Sequence, residues 1–174
     1  MDNFNGIQNS KSIEFQNLHI LVQSPYINFF FVFTHQTTIR VRYAETDQMG
    51  FVYYGQYASY LEVGRVEALR TLGIRYSSLE ESGILMPVTD LHIRYKKPAR
   101  YDELLLIETR IETLPQSRIV FQYSMFNEAK ELLNTAETEL VFIRSTDNKP
   151  MRVPIEIIEA LSKFFNLPDL TKPN

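Results

Sequence analysis

One carboxylate, Asp47, falls in a short loop within Tyr43-Ala44-Glu45-Thr46-Asp47-Gln48-Met49-Gly50-Phe51-Val52-Tyr53-Tyr54-Gly55-Gln56-Tyr57, between a strand pattern and a long amphipathic helix pattern. The first turn of a helix carries backbone N–H groups without intrahelical partners, and a partial positive charge. Such a place holds an anion or polarises a carbonyl. A carboxylate seven residues before those donors can attack that carbonyl or activate a water for it. The same aspartate also suits an Asx turn or a helix cap, because Asp is common in both. Gly50 supplies the backbone freedom a tight loop needs under either reading.

The elements around the loop read as follows. From Thr38 to Tyr43, Ile39, Val41 and Tyr43 alternate with Arg40 and Arg42, the pattern of a half-buried strand. From about Tyr54 to Leu72 the period becomes helical, with Tyr57, Leu61, Gly64, Ala68 and Leu72 on one stripe. Gly64 and Ala68 let this helix lie close to a sheet. Glu67 with Arg70, and Glu62 with Arg65, are spaced to pair along it. Gly73 is a stop signal, and a short turn over Ser77 to Glu81 follows, ended by Gly83. Four strand patterns come next: Leu91 to Lys96, Leu104 to Glu112, Ile119 to Met125 and Ala136 to Phe142, with a hairpin turn over Asn127 to Lys130. After a turn over Thr146 to Pro150, Pro154 opens a terminal helix through about Phe165. One helix cannot cover both faces of five strands, so the simplest burial is an α+β fold in which the antiparallel sheet wraps around it. One sheet edge and part of the outer face stay open, and pairing with a second copy closes the edge.

Composition narrows the function. The chain has 174 residues, 44% apolar content and a formal net charge of -3, which gives no general attraction to nucleic acid. It has no cysteine, which removes disulfides, thiolate metal sites and a cysteine nucleophile. His19, His35 and His92 are too scattered to suggest a metal site by spacing. The aromatic run Tyr26 to Phe33 is far shorter than the roughly 20 apolar residues of a membrane helix, and lacks the flanks of a signal peptide. It reads as an extra strand or an extension packed on the domain. The expected compartment is the cytoplasm. Residues 1–35 read as a poorly ordered or loosely packed N-terminal extension, 36–165 as the domain and 166–174 as a tail.

The run Arg42-Tyr43, Glu45-Thr46-Asp47, Gly50, Val52-Tyr53, Tyr57, then Tyr60-Leu61-Glu62 and Arg65, resembles the hotdog-fold acyl-CoA thioesterases of the 4-hydroxybenzoyl-CoA thioesterase group. Pro98-Ala99-Arg100-Tyr101-Asp102-Glu103-Leu104 is similar to that group's link between central strands, and the likeness covers roughly Thr37 to Leu161. The resemblance implies hydrolysis of acyl-CoA or acyl carrier protein thioesters without cofactor or metal. It implies homodimers that join two sheets, often paired into homotetramers, with the substrate lying between subunits. Asp47 falls on the family's catalytic aspartate, nucleophile or general base. Tyr54 falls where a backbone N–H polarises the thioester carbonyl; many relatives carry histidine there, so here the role is assigned to the backbone. Gly50, Val52, Tyr53 and Tyr57 are the expected substrate contacts. Lys96, Lys97, Arg100 and Arg118 are candidates for the coenzyme A phosphates. Phe51, Leu85 and Met86 are apolar candidates for the acyl pocket. Two other readings stand beside hydrolysis: a hotdog hydratase or dehydratase, which wants a histidine near the carboxylate, and a non-catalytic binder of acyl thioesters or partner proteins.

Overall fold

The computed structural model describes residues 32–165. The first strand, β1, covers Phe33–Arg40, and a single 3-10 turn over Tyr43–Glu45 leads into the Asp47 loop. The long helix α1 covers Gln56–Thr71, and the short α2 covers Tyr76–Glu81. Then come β2 (Ile84–Leu85), β3 (Val88–Tyr95), β4 (Leu104–Ile111), β5 (Arg118–Phe126), β6 (Leu132–Val141), β7 (Ile143–Arg144) and α3 (Ile155–Ser162). Five strands form one antiparallel sheet in the order β1-β4-β5-β6-β3, while β2 and β7 pair separately.

Alternation along β4 and β5 sends Leu105, Ile107 and Ile111, then Ile119, Phe121, Tyr123 and Met125, to the face that packs on α1. The helix returns Tyr57, Tyr60, Leu61, Ala68 and Leu69, all buried. Each of the large side chains among them contributes on the order of 1.5–3 kcal/mol by leaving water. Gly64 is where the two layers come closest. A Cβ there would stand 2.8 Å from Thr109 Oγ1 and 3.0 Å from Ile107 Cγ2. Gly64→Val therefore overpacks this contact, and chemical denaturation is expected to show a loss of roughly 1–3 kcal/mol. The two predicted helix pairs form: Glu67 bonds Arg70, and Glu62 lies 3.3 Å from the buried Arg65 guanidinium.

Several sequence expectations shift. The first strand begins earlier than Thr38 and ends at Arg40; Tyr43 stands in the 3-10 turn and is 79% exposed, so the alternation outlasts the strand that it suggests. Residues 33–35 of the expected extension open β1, and Phe33 packs edge-on against Phe164 at 5.0 Å. The rest of that extension, residues 1–31 with His19 and most of the aromatic run, and the tail 166–174, lie outside the described residues. The pair β2–β7 was not anticipated, because two residues are too few to show a period. It pairs Leu85 with Ile143, and Met86 packs against the core. Strand β3 departs most from its half-buried pattern: it is exposed along almost its whole length. Helix α1 packs chiefly on β1 and β4 and meets β3 near the helix start, where the Tyr57 and Tyr95 ring centroids lie 5.3 Å apart.

Candidate active site

The Asp47 loop is a closed turn. Asp47 N–H donates to Phe51 C=O at 2.8 Å, and Gly50 N–H donates to Asp47 C=O at 2.9 Å. The carboxylate is tied into the same turn: Oδ1 accepts from Met49 N–H at 2.9 Å and from Phe51 N–H at 3.3 Å. The Asx turn allowed by the sequence is therefore present, and it occupies one oxygen. Among the described residues no hydrogen bond reaches Oδ2. The turn fixes the side chain and leaves one oxygen unengaged. Gly50 makes the turn possible with φ of +73°, and nothing lies within 4 Å of where its Cβ would be. Gly50→Ala thus meets only backbone strain, and thermal unfolding is expected to show a loss of about 1–2 kcal/mol.

Beyond the loop, Val52 N–H bonds Ala99 C=O at 2.8 Å and Tyr53 N–H bonds Glu45 C=O at 2.9 Å. Gln56 is the first helical residue, Gly55 caps it without a side chain, and Gln56 N–H donates to Tyr53 C=O at 2.9 Å. The peptides are trans, so a carbonyl and the following N–H point in opposite directions. With Tyr53 C=O drawn toward the helix, Tyr54 N–H is aimed away from it. Neither Tyr54 nor Gly55 N–H donates to a described backbone or side-chain acceptor. Tyr95 Oη donates to Tyr54 C=O at 2.9 Å and holds the next peptide in place.

Asp47 and Tyr54 both face a cleft of about 330 Å³, walled by Met49, Phe51, Val52, Tyr57, Tyr95 and Pro98, with Lys96 and Lys97 at its rim. Tyr57 is buried and its hydroxyl accepts from Ala99 N–H at 3.1 Å. Burial raises the Tyr57 and Tyr95 hydroxyls above the usual tyrosine range. Burial, then the bond to Glu45, raises Tyr60 much further. These hydroxyls stay protonated in neutral solution and act as hydrogen-bonding wall groups. A larger hollow of about 570 Å³ on the outer sheet face includes His92, Arg94, Arg110 and Glu137. Its groups largely bond one another or their strand neighbours, as Arg94 does His92 and Arg110 does Glu108, and it lies on the opposite side of the sheet from α1.

The other expected residues are placed as follows. Tyr53 and Gly50 shape the backbone and are not part of the cleft wall; the Tyr53 ring lies 4.5 Å from the Tyr54 ring. Lys97 pairs with Glu131 at 2.6 Å, while Arg100 lies 4.7 Å over the Phe51 ring. Arg118 pairs with Glu139 and sits opposite Val141, at the far end of β6 from Asn134 and its partner Tyr95. It is remote from the cleft within one protomer. Phe51 walls the cleft, whereas Leu85 and Met86 do not. Sequence reasoning missed Tyr95, which the β3 alternation assigned to a core face, and Glu45, which the family motif contains but whose burial at 9% exposure nothing local announces.

Residues 41–161 match the pattern of the Thioesterase-like superfamily. The chain belongs to that family. Thioesterase-like relatives agree in sequence over most of their length. YneP of Bacillus subtilis (strain 168), provisionally named an acyl-CoA thioesterase, is 41% identical over 114 residues, 66% of this chain and 83% of the relative. The acyl-CoA thioester hydrolase YbgC of Escherichia coli O157:H7 is 32% identical over 120 residues, 69% of this chain and 90% of the relative. Among solved thioesterase-like structures, the DHNA-CoA thioesterase from Staphylococcus aureus superposes with a TM-score of 0.72 at 41% identity, covering 75% of this chain and 89% of that one. The hotdog architecture expected from the sequence is the one found.

Proposed function

We infer that this chain is an acyl-CoA thioester hydrolase whose chemistry is carried by Asp47 and the N–H of Tyr54. The observation that carries the reading is a cleft lined by both residues: Asp47, with one unengaged oxygen, and Tyr54 at the helix start, whose N–H has no described acceptor. A thioester carbonyl placed there has its oxygen on Tyr54 N–H, which stabilises the charge that develops in the transition state. Asp47 Oδ2 then acts in one of two ways. As general base it takes a proton from water while the water oxygen bonds the carbonyl carbon. As nucleophile it bonds that carbon itself, giving an acyl-aspartate anhydride that water then hydrolyses. In both, the C–S bond breaks and the thiol leaves. In ¹⁸O water, label in the Asp47 carboxylate after a single turnover identifies the anhydride route, because the base route delivers label only to the product acid.

An acyl-CoA or acyl carrier protein thioester is larger than a cleft at the small end of ligand pockets can enclose. This supports a site completed by a second copy. Strand β3 is an open edge, and Val88, Leu91 and Tyr95 are 44%, 42% and 49% exposed on it. Joining two copies across β3 covers them, and the Lys96 and Lys97 that follow the strand then flank the substrate's phosphates. The homodimer is the working unit, alone or paired into a tetramer. No helix among the described residues is long and apolar enough to cross a membrane, and a cysteine-free sequence suits the cytoplasm.

Among the described residues no histidine joins Asp47 in the cleft, which disfavours a hydratase reading: His35 lies on β1 beside Thr71, and His92 faces the outer sheet surface beside Arg94. Thiol release from a panel of acyl-CoA esters tests the hydrolase reading. Catalytic release from at least one ester is expected. Saturable binding without release from any ester identifies a binding protein instead.

A further inference from the structure

We propose that Glu45 is a positioning residue for this reaction, locking the Asp47 loop to the start of α1 so that the Asp47 carboxylate and the Tyr54 N–H converge on one carbonyl. The proposal rests on the hydrolase reading. Glu45 lies two residues before Asp47 and is 9% exposed. Its Oε2 accepts from Arg42 N–H at 2.7 Å and from the Tyr60 hydroxyl at 2.7 Å. Its Oε1 accepts from Gln56 Nε2 at 3.5 Å and lies 3.9 Å from the Arg42 guanidinium. Its backbone carbonyl accepts from Tyr53 N–H. The residues that aim Tyr54 N–H thus attach to the residue two positions before Asp47, where the chain enters the turn. Glu45 holds the N–H side of Tyr53, and Gln56, which Glu45 also contacts, holds its carbonyl side.

A buried carboxylate is a costly way to gain stability, since an apolar side chain of similar volume often serves as well or better. What the carboxylate adds is direction. It fixes the loop and the helix in register, where apolar contact alone would let them slide. A displacement near 1 Å between reacting groups can cost on the order of a hundredfold in rate.

The test measures kcat, KM and Tm for wild type, Asp47→Asn, Glu45→Gln, Tyr60→Phe and the Glu45→Gln/Tyr60→Phe double variant, using the acyl-CoA ester that releases thiol fastest. Glu45→Gln keeps the side-chain volume and can keep an oxygen at the Oε2 place, but its NH2 then meets the donors Gln56 Nε2 and the Arg42 guanidinium, and the negative charge is lost. It is expected to lower kcat by roughly tenfold to a hundredfold with KM changed by less than about threefold. Tyr60→Phe keeps the ring and removes one bond, and about a threefold to tenfold loss is expected. The double variant should fall no further than Glu45→Gln, because the two act through one bond. A lower Tm with kcat unchanged in both single variants overturns the proposal and leaves Glu45 a structural residue. If Glu45→Gln does not fold, Tyr60→Phe decides alone by its kcat. Wild type without turnover overturns the hydrolase reading and this proposal together. Active wild type, inactive Asp47→Asn and fully active Glu45→Gln overturn this proposal only.

Discussion

Asp47→Ala is expected to lower kcat for acyl-CoA hydrolysis by at least about a hundredfold, the scale of losing an essential base or nucleophile. Alanine alone does not isolate the chemistry. It also removes the acceptor for Met49 and Phe51 N–H, so the turn itself is weakened. Losing that acceptor is expected to cost about 1 kcal/mol of stability. Asp47→Asn makes the cleaner comparison. The asparagine Oδ1 still accepts both amides and preserves the Asx turn, while the group facing the cleft becomes an amide that neither attacks a thioester nor takes a proton from water. Equal loss of kcat in the two variants, with Tm lowered only in Asp47→Ala, is the expected pattern. Recovery of wild-type kcat in Asp47→Asn would show that the aspartate serves the turn alone.

The second large effect concerns the open edge. Val88 and Leu91 are 44% and 42% exposed in one protomer, so an isolated protomer tolerates lysine at both. Two copies joined across β3 do not, since each lysine then meets apolar surface and the like charge of its partner. The double variant Val88→Lys/Leu91→Lys is expected to run as a monomer in analytical ultracentrifugation, and wild type as a dimer or tetramer. The variant's turnover should fall at least about tenfold at concentrations where wild type is fully active, because the substrate loses one wall. A monomeric variant with full turnover would show that one protomer holds a complete site.

The fold was legible where pattern and burial coincide. The stripe Tyr57, Leu61, Gly64, Ala68 gave α1 because one face of that helix does meet the sheet, and Gly64 marks the closest approach. The strands β4 and β5 were legible because each has one covered face. In β3 the alternation found the strand but overstated its burial: Ile93 packs partly against the core and Tyr95 meets Tyr57, while Leu91 is 42% exposed. Alternation reports that one face is destined for burial, and not whether the same protomer supplies the cover. It misplaced Tyr43 for a related reason: a 3-10 turn can begin on a residue that still fits the strand period.

The site was half legible. Asp47 and Tyr54 at the helix start carry the family's motif and both line the cleft, while Gly50 closes the turn that holds Asp47. The orienting groups were harder to read. Glu45 is one of many glutamates until the fold buries it against Tyr60, and Tyr95 reaches Tyr54 only because β3 ends beside the start of α1. Such contacts bridge residues 15 and 41 positions apart, and no local period encodes them. Arg118 shows the converse, since strand-end position suggests a phosphate contact, yet within one protomer its partner is Glu139.

The central claim is that a thioester carbonyl rests between Asp47 and Tyr54 N–H. A crystal structure of the Asp47→Asn variant with an uncleaved acyl-CoA ester tests it most directly. The account predicts the carbonyl oxygen within about 3.2 Å of Tyr54 N and the carbonyl carbon facing residue 47 at about 3–3.5 Å, or across one water. An ester bound elsewhere, or a carbonyl turned away from both groups, would contradict it.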